Sequence, residues 1–373
     1  MTARLRADLD SLPRYAPGRS IPGAVKLASN EMSAGPLPSV IAAISDAAAG
    51  VNRYPDNRAT ALVDRLALRL DVPPSQLAVG CGSVTLCQQL VQVTCGPTDE
   101  VLFAWRSFEA YPIITQVLGA GQRTVPLRAD HNHDLAAMLD AITPATRLVF
   151  VCSPNNPTGT AVRRDELVAF LDAVPDGVLV ALDEAYHEFV TDPAVGDGME
   201  LGRDRDNLAV LRTFSKAYGL AGLRVGYCAA PEPVAMALRT VSVPFSVNSL
   251  AQVAALASLD AENELLARCR GVAAERDRVR AELLAMGYPV PDSQANFIWL
   301  PLGEQTGAFT EHCLEHKIVI RPFPGEGARV TIGDAEENEM FLAAARTYRL
   351  SRSAADVAHF DLREAEGCGG ALG

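Results

Sequence analysis

From about residue 35 to residue 249 the chain alternates short apolar runs with amphipathic segments. The runs fall at 76–79, 100–103, 122–125, 147–152, 178–182, 208–211 and 224–229. They are short and rich in β-branched residues, which fits strands buried on both faces with helices between them. The pattern predicts an α/β fold with a mostly parallel sheet between helices. Ligands of such sheets gather outside the carboxyl ends of the strands, so chemistry is expected in the residues that follow each run.

A second region begins near residue 249. Residues 250–287 lack proline and are rich in Ala, Leu, Arg and Glu, which predicts one or two long helices ending at Gly287. Short strands are expected at 296–300, 317–321 and 329–332, with a helix over 336–348. This divides the chain into a large domain over 33–249 and a smaller α+β domain, formed by 250–350 with an N-terminal arm over 1–32. The composition of 351–373 predicts a disordered tail.

Composition narrows the function classes. The chain has 373 residues, 49% of them hydrophobic, enough for two lobes with a large core. A formal net charge of −12 without a basic block argues against a nucleic-acid partner. No apolar stretch approaches the roughly 18 residues of a membrane span. The first fifteen residues lack the apolar centre of a signal peptide, so a cytoplasmic protein is expected. The eight cysteines are scattered without a Cys-x-x-Cys pair, as reduced core thiols would be. His131 and His133, and His312 with His316 and Cys313, lack a carboxylate that clearly completes a ligand set, so no metal is expected.

Lysine is nearly absent. Of 33 basic residues only Lys26, Lys216 and Lys317 are lysines. Arginine serves as a surface cation equally well, but a guanidinium stays protonated and cannot act as an amine nucleophile. A desolvated lysine can lose its proton and form a Schiff base. Lys216 follows the run 208–211, where a lysine at a strand end would be placed.

Other strand ends carry polar groups in a consistent order. Asn155-Asn156-Pro157-Thr158-Gly159 follows 147–152, Asp183-Glu184-Ala185-Tyr186 follows 178–182, and Thr213 and Ser215 accompany Lys216. Gly82, Ser83 and Val84 open a helix after 76–79. Together these match what pyridoxal 5′-phosphate needs. Lys216 would hold the aldehyde, and an ionised Asp183 would keep the pyridine nitrogen protonated so that the ring accepts electrons. Tyr186 and Asn156 would bond the ring hydroxyl. The backbone N–H groups at Gly82, Ser83 and Val84 suit a phosphate. Ser215 adds a hydroxyl there and Arg224 a fixed positive charge. Phe108, in Trp105-Arg106-Ser107-Phe108, would lie on the ring face.

The chain resembles fold-type I, class II aminotransferases of the histidinol-phosphate aminotransferase family. The stretches that carry the resemblance are Leu27-Ala28-Ser29-Asn30-Glu31, Arg53-Tyr54-Pro55-Asp56, the Asn-Asn-Pro-Thr-Gly loop, Asp-Glu-Ala-Tyr and TFSKAYGLAGLRVG. The similarity covers roughly residues 12–349. GCGSVTLCQQLVQ, WRSFEAYP, VPFSVNS and SQANFIWLPLG are similar to the aromatic (phenylalanine) branch. The resemblance implies a homodimer with shared active sites, in which Tyr54 reaches the phosphate of the neighbouring subunit's cofactor. Arg329 matches the family arginine that grips the substrate's anionic end, and Arg321 is a second candidate. Tyr15 and Asn30 would line the substrate mouth. Two departures stand out. Asn30-Glu31 continues as Met32-Ser33 where the family often has Asn-Pro, and Phe108 stands where a Tyr is usual.

The implied reaction is a ping-pong transamination between phenylalanine, tyrosine or tryptophan and a 2-oxo acid, 2-oxoglutarate, with the freed Lys216 amine moving the proton from Cα. Histidinol phosphate is an alternative donor, since arginines can bind either anion. A decarboxylase sharing this fold and lysine is a remoter alternative.

Overall fold

A computed structural model of the protein describes residue 3 and residues 21–367, with side chains as far as Ser351. The chain enters through β1 (Val25–Lys26) and builds a seven-stranded sheet. Its strands are β2 (Leu77–Gly80), β3 (Glu100–Trp105), β4 (Gly121–Pro126), β5 (Thr146–Cys152), β6 (Leu179–Asp183), β7 (Leu208–Thr213) and β8 (Gly226–Ala229). Their spatial order is β2-β8-β7-β6-β5-β3-β4. β8 pairs antiparallel with both of its neighbours and the other pairings are parallel. Six strands therefore present their carboxyl ends along one edge.

The helices around this sheet are α1 (Pro38–Ala48), α2 (Thr60–Leu70), α3 (Ser83–Thr94), α4 (Ala110–Leu118), α5 (Leu135–Asp140), α6 (Arg164–Ala173), α7 (Gly198–Leu201) and α8 (Glu232–Val241). The pleat sends alternate side chains to opposite faces. Val149, Val151, Val180, Leu182 and Val210 join one buried cluster, while Leu148, Phe150, Ala181, Ala209 and Leu211 join the other. Both faces are covered, which is why these strands read as unbroken apolar runs.

The remaining elements are α9 (Ser249–Asp260), α10 (Glu262–Ala285), β9 (Phe297–Leu300), α11 (Thr306–Glu315), β10 (Ile318–Val319), β11 (Arg321–Phe323), β12 (Gly327–Thr331) and α12 (Ala335–Gly367). The single strand expected at 317–321 is two. β10 pairs with β1, and β11 joins the antiparallel order β11-β12-β9. Asn248 caps α9 by accepting the Ala251 N–H at 2.8 Å. The buried Ala251, Ala254 and Ala255 of α9 pack into the sheet's core, while Val279 and Leu283 of α10 pack against Ile298, Val330 and Phe341. By packing, the smaller body thus begins within α10, later than the expected division at residue 249. A second difference lies at the end of the chain. Residues 351–367, expected to be disordered, are helical. Neither Pro nor Gly occurs between Gly333 and Gly367, so nothing stops α12. Residues 368–373 lie outside the described residues.

Two buried guanidinium groups tie the layers together. Arg276 of α10, fully buried, donates to the Phe189 carbonyl at 3.1 Å, to the Ala295 carbonyl at 3.3 Å and to Thr191 Oγ1 at 3.1 Å. Arg212 of β7 donates twice to Glu184 Oε2, at 2.9 and 2.7 Å, and once to Asp197 Oδ1 at 2.6 Å. Glu184 Oε1 accepts the Gly198 N–H at 2.7 Å. This network fixes the carboxyl ends of β6 and β7. Arg212→Met leaves the buried Glu184 carboxylate without its cation, and should lower unfolding free energy by about 3–5 kcal/mol in chemical denaturation. Arg212→Met with Glu184→Met should recover most of that loss.

Candidate active site

A cavity of about 460 Å³ opens at the carboxyl edge of the large sheet and extends to the smaller body. Lys216, Asp183, Tyr186, Asn156, Phe108 and Arg224 all line it. Thr213, Ser215, Ser83, Val84 and Asn30 join them, as do Arg321 and Arg329.

Register places the strand-end groups. β5 and β6 pair Cys152 with Asp183, and β6 and β7 pair Asp183 with Leu211. Lys216 follows Thr213, the last residue of β7. Its Nζ donates to the Ser29 carbonyl at 3.2 Å. Burial, aided by the Arg329 guanidinium, brings its amine down to about 7. Lys216 is therefore poised between ammonium and free amine near neutral pH.

Asp183, 3% exposed, is pushed up by burial and drawn back by two donors. Tyr111 Oη donates to Oδ2 at 2.7 Å, and the Ala185 N–H donates to Oδ1 at 3.3 Å. The Tyr186 hydroxyl accepts from Asn30 Nδ2 at 2.9 Å, which leaves its own proton to be donated. Asn30 is held in turn by Thr331, whose Oγ1 accepts its N–H at 2.9 Å. Asn155 orders the loop beside it. It is fully buried, accepts from Ser107 Oγ at 2.7 Å and donates to Thr158 Oγ1 at 2.9 Å.

The start of α3 has the geometry that an anion needs. Its N-cap is Gly82, at φ +78°, and a side chain there would run into the Arg224 guanidinium. Gly226 allows an equally close approach, since a Cβ there would meet the Ser83 N at 2.6 Å. Arg224, itself at φ +63°, donates to Ser215 Oγ at 3.1 Å. A helix N-terminus, a guanidinium and a hydroxyl thus converge, and a phosphate fits this combination. Lys216 and Asp183 in the same cavity complete a donor set that fits pyridoxal 5′-phosphate.

At the other end, β11 and β12 pair Arg321 with Arg329 directly across the strands. Arg329 donates to Asn156 Oδ1 at 2.5 Å and to the Ala28 carbonyl at 2.7 Å. Arg321 Nη2 lies 2.7 Å from Glu109 Oε2. Two residues of WRSFEAYP, Glu109 and Tyr111, thus contact groups that line the site without having been singled out by sequence. Their partners lie 212 and 72 residues away along the chain. A helical reading of the stretch offers the one usable signal, since Tyr111 stands three residues after Phe108.

Two expected residues are not brought in. Tyr54 is 82% exposed and stacks on Phe245 at 4.5 Å, away from the cavity. Tyr15 lies outside the described residues. His312 Nε2 is 3.1 Å from the Ala344 carbonyl and 3.0 Å from Thr347 Oγ1, contacts that pack α11 on α12. Glu184, His187 and Asp197 bring potential ligand atoms together, but Arg212 already donates into that cluster.

The sequence matches the family described as Aminotransferase class I and II over residues 22–344. It is 60% identical over 358 residues to the aromatic amino acid aminotransferase of Rhodococcus jostii (strain RHA1), covering 96% of this chain and 99% of that one. It is 56% identical over 350 residues to the aromatic amino acid aminotransferase of Streptomyces coelicolor, covering 93% and 98%. In structure it resembles histidinol-phosphate aminotransferase from Sinorhizobium meliloti in complex with pyridoxal-5′-phosphate. That match has a TM-score of 0.86 at 29% identity and covers 94% of this chain and 99% of that one.

The lowered Lys216 amine gives a direct test in the cofactor-free protein. Reductive methylation followed by mass spectrometry should show half-maximal Lys216 reactivity near pH 7, against roughly 10.4 for an ordinary lysine. Reactivity rises with pH because the amine attacks only after losing its proton. Arg329→Gln removes a repelling cation and should move the midpoint upward. A midpoint unchanged by that substitution would rule out the guanidinium as a cause.

Proposed function

The chain belongs to the class I and II aminotransferase family, and on that premise we propose that it moves the amino group between phenylalanine, tyrosine or tryptophan and 2-oxoglutarate, with pyridoxal 5′-phosphate held on Lys216. When bound, the cofactor supplies an aldehyde for the lysine and a ring that withdraws electrons from the substrate Cα. The N–H groups opening α3, with Arg224 and Ser215, would hold its phosphate. Asp183 would meet its ring nitrogen, Tyr186 and Asn156 its ring hydroxyl, and Phe108 its ring face. Arg329 takes the substrate carboxylate. The Lys216 amine would take the proton from the substrate Cα. A group poised near 7 can both accept and return that proton.

The observation that carries the substrate choice is the Arg321–Glu109 pair. A monoanionic α-carboxylate can be taken by Arg329 without disturbing it. A phosphate dianion calling on both arginines has to compete with the Glu109 carboxylate for Arg321. Relatives at 56–60% identity that are aromatic amino acid aminotransferases support the same choice. Histidinol phosphate is the second reading, favoured by the likeness to the Sinorhizobium meliloti structure.

A homodimer is part of the proposal. Tyr54 and Phe245 form a stacked aromatic pair at the surface, with Val51 and Val243 also exposed. Such a cluster suits burial against a second copy, whose phosphate site Tyr54 would reach. The seven described cysteines are free thiols, which supports a reducing, cytoplasmic location. Among the described residues no helix is long and apolar enough to cross a membrane.

The donor is tested by mixing the holoenzyme with phenylalanine or with histidinol phosphate, without an acceptor, and following its visible absorption band. Phenylalanine should discharge the band rapidly and histidinol phosphate slowly; the reverse order would overturn the aromatic assignment. Glu109→Gln removes the carboxylate that competes for Arg321 and should raise apparent affinity for histidinol phosphate about tenfold, with little change for phenylalanine. The shared site is tested by co-expressing Lys216→Ala with Tyr54→Ala. Mixed dimers should regain activity that neither parent shows, because one of their two sites keeps both residues. No recovery in verified mixed dimers would place Tyr54 outside the partner's site.

A further inference from the structure

Tyr111 is a fully buried phenol that does not line the cavity, yet its hydroxyl bonds the carboxylate that does. It stands in the first turn of α4. Its ring lies flat on Phe150 of β5, with centroids 4.4 Å apart and planes 7° from parallel. Phe108 meets it edge-on at 5.5 Å and 87°. These contacts leave the phenol little freedom, and its oxygen comes to rest 2.7 Å from Asp183 Oδ2. The Ala185 N–H occupies the other carboxylate oxygen at 3.3 Å. Each oxygen has capacity for a further donor, and the open side of Asp183 is the cavity.

We propose that Tyr111 is a positioning residue for cofactor recognition, its hydroxyl holding the Asp183 carboxylate charged and turned toward the ring nitrogen. This rests on the reading of Asp183 as that nitrogen's partner. A hydrogen bond to an ionised carboxylate is stronger than one between neutral groups. A buried carboxylate left with one donor fewer reverts toward its neutral form. Burial already pushes Asp183 up, and the Tyr111 hydroxyl is the first of the groups that oppose it. Because Phe108 packs on the same ring, the wall covering the cofactor and the carboxylate beneath its nitrogen are set by one side chain.

The test compares equilibrium binding of two ligands to the cofactor-free protein: pyridoxal 5′-phosphate and its 1-deaza analogue, which has carbon in place of the ring nitrogen. The wild-type chain should prefer the natural cofactor. Tyr111→Phe keeps the ring against Phe150 and removes only the donor. It should weaken pyridoxal 5′-phosphate binding about ten- to a hundredfold and leave the deaza analogue within roughly twofold. In an Asp183→Asn background the same substitution should have no nitrogen-dependent effect. Equal loss for both ligands would reduce Tyr111 to packing and overturn the proposal, and so would an unchanged preference. A wild-type protein that binds the two ligands equally would instead sink the reading of Asp183. Should Tyr111→Phe fail to fold, 3-fluorotyrosine at position 111 carries the same test. Its stronger donor should raise the preference, and a preference that does not move would overturn the assignment.

Discussion

A neutral amine and an ionised carboxylate have to share one cavity, and burial serves only one of them. Removal from water favours the uncharged form of acids and amines alike. At Lys216 that tendency is used: burial, reinforced by the neighbouring Arg329, brings the amine close to neutral pH. At Asp183 the same tendency has to be opposed, and Tyr111 and the Ala185 N–H oppose it. The site therefore depends on where donors and cations are aimed. Arg329 faces the amine, and the buried hydroxyl and backbone N–H face the acid.

The parallel sheet makes such aiming possible at low cost. Strands β5, β6 and β7 end at one edge in fixed register, so Asn156, Asp183 and Lys216 emerge side by side although some thirty residues of chain separate each from the next. The Arg212–Glu184–Asp197 network holds two of those strand ends from the side. Satisfied buried networks specify position more reliably than they add stability. Here the neighbouring residue of the same strand end, Asp183, is what needs a fixed position.

What could be read from the sequence was what local chemistry determines. Lys216 stood out because its residue type is scarce and its chemistry cannot be replaced. The strands declared themselves because both faces of the sheet are buried. The start of α3 was legible because Gly82 and Ser83 follow an apolar run. Tyr111 and Glu109 were invisible for the opposite reason. Each is an unremarkable residue at the start of an amphipathic helix until its partner, far away in sequence, is in place. The length of α12 was misread because the end of the chain looks polar. In fact nothing in residues 351–366 breaks a helix, and composition alone cannot separate a solvated helix from a tail. The reading of Tyr54 rests on resemblance alone, since nothing within a single copy of the chain draws it to the cavity.

Two ion pairs span the cleft between the bodies, and they run in opposite senses. Arg106 of the sheet body meets Glu326 of the smaller one, and Arg321 of the smaller body meets Glu109 of the sheet body. Part-exposed pairs of this kind contribute only about 0–1 kcal/mol each. Their reversed polarity matters more than their strength, because sliding one body past the other would bring like charges together. Glu109 stands at the N-cap position of α4 with its side chain turned to Arg321, Phe108 immediately precedes it, and Tyr111 lies in the first turn of the helix. One short helix thus carries the counter-ion at the substrate end, the aromatic wall, and the hydroxyl that holds Asp183. Any shift in how α4 sits is felt at both ends of the cavity, so substrate choice and cofactor electronics are set by the same element.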